Sequence, residues 1–95
     1  MQYLLLIHGN SKTPPSSQDW SAFFERAKES GTFRGGSAIG AKQVIGTSAS
    51  PIFSEHITGF MRFDCDDKQR VLDLLSHHPI VANGGTVELC EMPVA

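Results

Sequence analysis

The sequence predicts an α+β domain of ferredoxin-like type, in which strands and helices follow one another as βαββαβ. Two strongly apolar strand patterns, Tyr3 to His8 and Ile57 to Asp64, are each followed by an amphipathic helical pattern. Asn83-Gly84-Gly85 then forms a turn into a last strand pattern. At 95 residues the chain suits a single domain covering positions 1–95. We expect an antiparallel four-stranded sheet of order 4-1-3-2 with two helices on one face.

The first half of the chain supplies a strand, a helix and a second strand. Tyr3 to His8 is an apolar run that Gly9 closes, which indicates a short strand. A serine cap at Ser16 or Ser17 precedes a helix predicted over Gln18 to Ser30. The glycine-rich stretch that follows predicts a strand over Ser37 to Ile45. The apolar positions of the helix are Trp20, Phe23, Phe24 and Ala27, at three- and four-residue spacing.

The second half of the chain supplies a third strand, a second helix and a fourth strand. Ile57 to Asp64 predicts a strand, and acidic residues then precede a helix predicted over Asp67 to His77, where negative charge suits the helix N-terminus. Pro79 ends that helix. Thr86 to Met92 predicts the final strand, and its two glutamates indicate an edge position.

Composition and charge exclude several classes of function. A formal net charge of -2 provides no basic footprint for nucleic acid. The apolar run near Tyr3 is far shorter than the roughly 20 residues that span a bilayer, so we expect no membrane partner and a cytoplasmic protein. Cys65 and Cys90 belong to no metal-type spacing and are expected to be free thiols. No spacing of ligands predicts a metal, and no phosphate-binding loop or other cofactor motif is present.

The two central strand patterns are apolar on both faces, which predicts a second covering layer. In Tyr3 to His8, Leu4 and Leu6 alternate with the other apolar side chains, and Phe60 does so in Ile57 to Asp64. Two helices cover only one face of the sheet. A second copy of the chain, related by a two-fold axis, is the simplest cover for the other face. The chain is therefore expected to form a homodimer.

The chain has six distinctive segments, namely Met1 to Gly9, Ser30-Gly31, Gly35-Gly36, Ser54 to Phe60, His78-Pro79 and Gly84 to Leu89. Together they resemble the YCII-related family, near the proteins that carry the DGPF domain. The resemblance implies a dimeric α+β barrel, in which two four-stranded sheets face each other across a shared interior with clefts at its ends. It does not imply the His-Asp pair thought to act in one branch, because residues 18–30 contain no histidine and residues 31–50 no aspartate. Where another branch carries Asp-Gly-Pro-Phe, this chain has Ser50-Pro51-Ile52-Phe53.

The predicted topology gathers the histidines at one edge of the sheet. His8 ends the first strand and His56 precedes the third, and these neighbouring strands are expected to run antiparallel. Imidazole suits proton transfer near neutral pH, so His8 and His56 are candidate catalytic residues, which Glu55 can orient. Arg62, Thr58 and His78 are candidate ligand-binding residues for a small anionic organic molecule. Each histidine also has a structural interpretation as a turn residue or a helix C-terminal residue.

Two functions from different classes therefore remain open. The chain is either a binding protein that holds a small molecule in a cleft of the dimer, or a small-molecule enzyme that uses His8 or His56 as general acid/base. The lack of a carboxylate certain to pair with a histidine favours binding. The polar Thr58 and Arg62 on a face expected to be buried favour catalysis.

Overall fold

A computed structural model describes residues 1–46 and 54–94 and shows one antiparallel sheet with helices packed on it. Every predicted element is present in the predicted order, and one short helix is added near the end of the chain. The strands are β1 (Gln2–His8), β2 (Phe33–Ala38), β3 (Ile57–Asp64) and β4 (Val87–Met92), and the helices are α1 (Ser17–Glu29), α2 (Lys68–Leu75) and α3 (Pro79–Ala82).

The sheet order is β2-β3-β1-β4, which is the predicted 4-1-3-2 read from the other edge. β1 is central and pairs antiparallel with both β3 and β4. Its alternate residues Tyr3, Leu5 and Ile7 are buried against the helices, in one cluster with Phe23 of α1 and Val71 of α2. The helices therefore cover one face of the sheet, as the sequence predicts.

The helix ends follow the capping rules on which the predictions depend. Ser16 caps α1, since its Oγ accepts a hydrogen bond from the Asp19 backbone N–H at 3.0 Å. The Asp67 carboxylate accepts one from Gln69 N–H at 3.0 Å at the start of α2. α2 ends at Leu75, two residues before its predicted end. Pro79 then starts the separate helix α3, where its missing N–H costs nothing. No helix within residues 1–46 or 54–94 has the length and apolarity to cross a membrane.

The prediction for the second strand is wrong in its position. The structure places β2 at Phe33–Ala38 and not at Ser37 to Ile45. The chain leaves the sheet after Ala38. β2 contains Gly35 and Gly36, and glycine has low strand propensity. The strand was therefore predicted too late in the chain, at the apolar residues that follow. Gly35 lies where the register between β2 and β3 shifts, and its φ is +111°. Glycine adopts this backbone conformation without strain.

The second glycine allows β2 and β3 to approach each other closely. A Cβ at position 36 would lie 2.3 Å from the carbonyl oxygen of Phe60 and 2.9 Å from the Cα of Met61. Both atoms belong to backbone, so neither can move aside without disturbing β3. Gly36 is therefore required by strand pairing, and a side chain here forces the edge strand outwards.

We expect Gly36→Ala to lower the free energy of unfolding by about 1–3 kcal/mol, the usual cost of overpacking. The matched control is Gly40→Ala, because a Cβ at position 40 meets no atom within 4 Å and should change stability by less than about 0.5 kcal/mol. Urea unfolding of the two variants measures the difference. Equal stability of both variants would contradict the close approach.

Candidate functional site

The sheet face opposite the helices, which we call the open face, carries both apolar and polar side chains. Val87 and Leu89 of β4 pack on the helix-covered core, so the residues between and after them project to the other side. The same alternation in β1 and β3 leaves Leu4, Leu6 and Phe60 only partly buried. The open face comprises Leu4, Leu6, His8, Phe60, Arg62, Glu88, Cys90 and Met92.

His8 and His56 lie side by side at one end of the open face. Their ring centroids are 4.7 Å apart, and the ring planes are inclined at 56°. Backbone hydrogen bonds fix both positions: His8 N–H donates to the Thr86 carbonyl at 3.1 Å, and Gly9 N–H donates to the His56 carbonyl at 2.8 Å. The main chain, and not side-chain packing, therefore brings the two imidazoles together.

A β-bulge sets the position of His56. Ile7 pairs with Gly59, but His8 pairs with Ile57, so Thr58 is the extra residue on β3. Continuing the regular register would place His56 opposite Asn10, whereas the bulge moves it opposite Gly9. Bulges commonly redirect a side chain beside a functional site in this way. Here the bulge carries His56 one position closer to His8.

Glu88 supplies the carboxylate of this cluster. Its Oε1 forms a hydrogen bond with Nε2 of His8, which fixes that imidazole from the β4 side. Glu88 pairs with Leu6 across β1 and β4, so it is the diagonal neighbour of His8 on the same face. Candidate ligand atoms of His8, His56 and Glu88 all lie within 4.8 Å of one another. Glu55, the carboxylate expected to orient a histidine, is exposed beside His56.

The predicted ligand-binding residues divide between two places. Arg62 is exposed on the open face. Thr58, the bulged residue, lies beside Ile7, whose carbonyl accepts a hydrogen bond from Thr58 Oγ1 at 3.4 Å. His78 lies on the helix-covered side, where its ring contacts Trp20 and Phe23 at centroid distances of 5.3 and 4.8 Å. A site shared by His77 or His78 with the other two histidines stays a prediction. A binding role for Thr58, Arg62 or His78 stays a prediction.

His78 caps α3 and is buried completely. Its Nδ1 accepts a hydrogen bond from the Ile80 N–H at 3.1 Å, so the ring proton of the neutral imidazole sits on Nε2. Among the described residues, Nε2 has no hydrogen-bond partner. Burial lowers the pKa of His78 to about 4, because a charged imidazole would lose its hydration there.

An apolar cleft of about 290 Å³ opens between the helices and the β2–β3 side of the sheet. Trp20 and Phe24 of α1, Phe33 of β2 and Ile80 of α3 form much of its wall. Gly36 widens it, since a larger residue there would also crowd Met61. Thr58 and Phe60 of β3 also line the cleft, whereas none of the four histidines does.

The sequence predictions missed Glu88 and the cleft for different reasons. In the sequence, Glu88 stands out only as one of two glutamates of an exposed strand. A glutamate on a strand whose neighbour ends in a histidine does, however, indicate a possible contact between the two side chains. The cleft depends on where β2 begins. A strand placed at Ser37 to Ile45 moves Phe33 and Gly36 out of the sheet, so no pattern in that interpretation brings the cleft residues together.

Comparison with known proteins supports the fold. No protein-family model matches the chain, and no curated protein matches it. A solved structure of 5-chloro-2-hydroxyhydroquinone dehydrochlorinase from Burkholderia phenoliruptrix AC1100, in complex with 2,5-dihydroxybenzoquinone, is similar with a TM-score of 0.55 and 12% identity. The similarity covers 100% of this chain and 96% of that one. At this identity the likeness concerns the fold alone.

Neutral burial of His78 predicts a pH-dependent stability. Between pH 6.5 and about 4 the unfolded chain binds a proton at this residue and the folded chain does not. The contribution is thus complete above pH 6.5 and falls by about 1.4 kcal/mol per pH unit as the pH drops towards 4. His78→Asn keeps a capping side chain without titrating, so its urea-unfolding free energy should vary less with pH than that of the wild type. His77→Asn, an exposed control, should keep the wild-type slope, and identical slopes for all three proteins would refute the assignment.

Proposed function

We propose that the chain is a YCII-related dimeric α+β barrel protein that binds a small anionic organic molecule in a cleft of the dimer. The observation that carries this proposal is the convergence of His8, His56 and Glu88 at the edge of the open face. Binding sites for small molecules typically combine apolar walls with a few convergent polar groups. The open face provides both in one surface.

The dimer is supported by the apolar side chains that the open face exposes. Leu4, Leu6 and Phe60 are half-buried side chains at the centre of this face, and Met92 is a half-buried side chain at the end of the edge strand β4. Burying such a patch against an identical one is favourable, and a two-fold axis makes the surface self-complementary. The polar cluster at the edge of the patch then faces the interior between the two sheets.

The chemistry of the ligand is inferred from the polar side chains of this face. Arg62 provides a permanent cation that forks around carboxylates or enolates, and Thr58, at the bulge next to this face, provides a hydroxyl. The two imidazoles add donors that turn towards an oxygen. The fold neighbour is an enzyme whose structure holds a small oxygen-rich ring compound. We therefore propose a small organic anion with its charged oxygens near Arg62.

A second candidate function is a small-molecule enzyme with His8 or His56 as general acid/base. The hydrogen bond between His8 and Glu88 favours it, because a carboxylate fixes the tautomer of an imidazole and stabilises its protonated form. In this alternative Glu88 orients His8, and His56 lies close enough to contact the same substrate.

Disrupting the apolar patch should produce a monomer. We expect Phe60→Glu to elute as a folded monomer in size exclusion with light scattering, while the wild type at micromolar concentration has twice the chain mass. Leu72→Glu is the control, because Leu72 is an exposed apolar residue of α2, away from the open face, and should leave the dimer intact. A monomeric wild type, or a dimeric Phe60→Glu variant, would contradict the proposed interface.

Ligand binding can be tested with two reporters, one at the histidine cluster and one in the apolar cleft. A panel of small carboxylates and hydroxylated quinones should shift the imidazole NMR signals of His8 and His56, while the fluorescence of Trp20, the one tryptophan, stays constant because it reports the cleft. Arg62→Gln should weaken binding by at least about tenfold, the loss of one charge-assisted contact. A ligand that quenches Trp20 and leaves the histidines unchanged would locate binding in the cleft and overturn the proposed site.

The same ligands separate binding from catalysis. If the chain is an enzyme, a bound compound is converted, and Glu88→Gln should reduce turnover by about 100-fold or more while changing binding little. Glu91→Gln is the matched control, since Glu91 is on the same strand but faces the other way, beside Lys68. Binding without conversion supports the first function.

A further inference from the structure

We propose that His8, His56 and Glu88 form a binding site for a divalent transition-metal ion of the zinc type. The three side chains come from three separate segments: the end of β1, the turn before β3 and the first half of β4. Candidate ligand atoms from all three lie within 4.8 Å of one another. No linear spacing motif links them, so the site exists only in the folded sheet.

The distances are close to those of a metal site. In a tetrahedral zinc site with bonds of about 2.0–2.1 Å, ligand atoms are about 3.4 Å apart. A contraction of at most about 1.4 Å between the most distant atoms is therefore sufficient. His56 and Glu88 are exposed, with 51% of the Glu88 side chain accessible, so both rotate at little cost. His8 is more enclosed, at 17%, and provides the fixed ligand.

The backbone holds the ligands in place before any ion binds. His8 and Gly9 donate hydrogen bonds to the carbonyls of Thr86 and His56, which ties β1 to both neighbouring segments. Asn10 strengthens the β4 side, since its Nδ2 donates to Thr86 Oγ1 at 3.0 Å and its Oδ1 accepts from Thr86 N–H at 2.9 Å. A site held in this way loses less entropy on binding than one formed by flexible loops.

The donor set selects the class of ion. Two imidazole nitrogens and one carboxylate oxygen suit Zn²⁺, Fe²⁺, Co²⁺ or Ni²⁺, whereas Ca²⁺ and Mg²⁺ prefer oxygen ligands alone. Three protein ligands also leave at least one position open, which is the arrangement of catalytic and not of structural metal sites. Glu88 and Arg62 lie on the same face of the sheet.

This inference deepens the proposed function and depends on it for the organic ligand only. A metal ion at the cluster attracts an anionic oxygen, which gives the site an additional reason to prefer small organic anions. Metal binding and acid–base catalysis by His8 exclude each other, because a nitrogen that coordinates an ion does not accept a proton. The metal therefore replaces the acid–base alternative and is compatible with the binding function.

Titration of the full chain with Co²⁺ alone, after removal of metals by a chelator, tests the site without any organic ligand. We expect one ion per chain, with visible d–d absorption of the intensity typical of four- or five-coordinate Co²⁺, and displacement of the cobalt by Zn²⁺. His56→Asn and Glu88→Gln should each weaken Zn²⁺ binding in calorimetry by at least about tenfold, as even outer-sphere changes commonly do. Both residues are exposed, so circular dichroism should show intact folding.

Two controls separate this site from adventitious binding. His77→Asn removes an exposed histidine near α3, and Glu91→Gln removes the other glutamate of β4; each should change Zn²⁺ affinity by less than about twofold. Cobalt absorption that stays weak and octahedral, or equal affinity of the wild type, His56→Asn and Glu88→Gln, overturns the metal site. If metal binds but no organic anion does, the proposed function fails alone. If an anion binds the metal-free chain and no metal binds, the inference fails alone.

Discussion

The central position of β1 is the constraint on which the rest of the structure depends. Because β1 is hydrogen-bonded on both sides, its two faces are fixed relative to both neighbouring strands at once. Leu5 thereby goes into the core beneath the helices, and Leu6 goes to the open face. The last residue of the same strand, His8, is held between β3 and β4. One ladder of backbone hydrogen bonds thus positions the core, the proposed interface and the candidate site.

Much of the fold was predictable because local signals and topology agree. The limits of β3 were predicted exactly as observed by its apolar residues, and a serine cap located the start of α1. β2 was misplaced because its sequence has to satisfy a close approach between two backbones, which requires Gly36 and suppresses the usual strand signal. Strand propensity does not include the steric requirements of strand pairing, because these depend on a strand elsewhere in the chain.

The candidate site was predictable in part for a related reason. Antiparallel neighbours bring a strand end beside a strand start, so topology alone predicts that His8 and His56 approach each other, and their rings do lie in contact. The bulge at Thr58 and the diagonal placement of Glu88 could not be predicted from the sequence, because each depends on the register of strand pairing. The ring of His78 is directed towards Trp20 because the chain turns into α3 after α2.

The two faces of the sheet have different roles, and this difference has a consequence for how the protein can evolve. Along β3, Met61 and Phe63 contribute to the core, while Phe60 and Arg62 do not take part in it. Replacements on the outward side consequently leave the stability of the subunit nearly untouched and alter only what that side recognises. Selection can therefore change the preferred ligand in small steps, each of them a folded protein, without a compensating change among the residues that hold the helices.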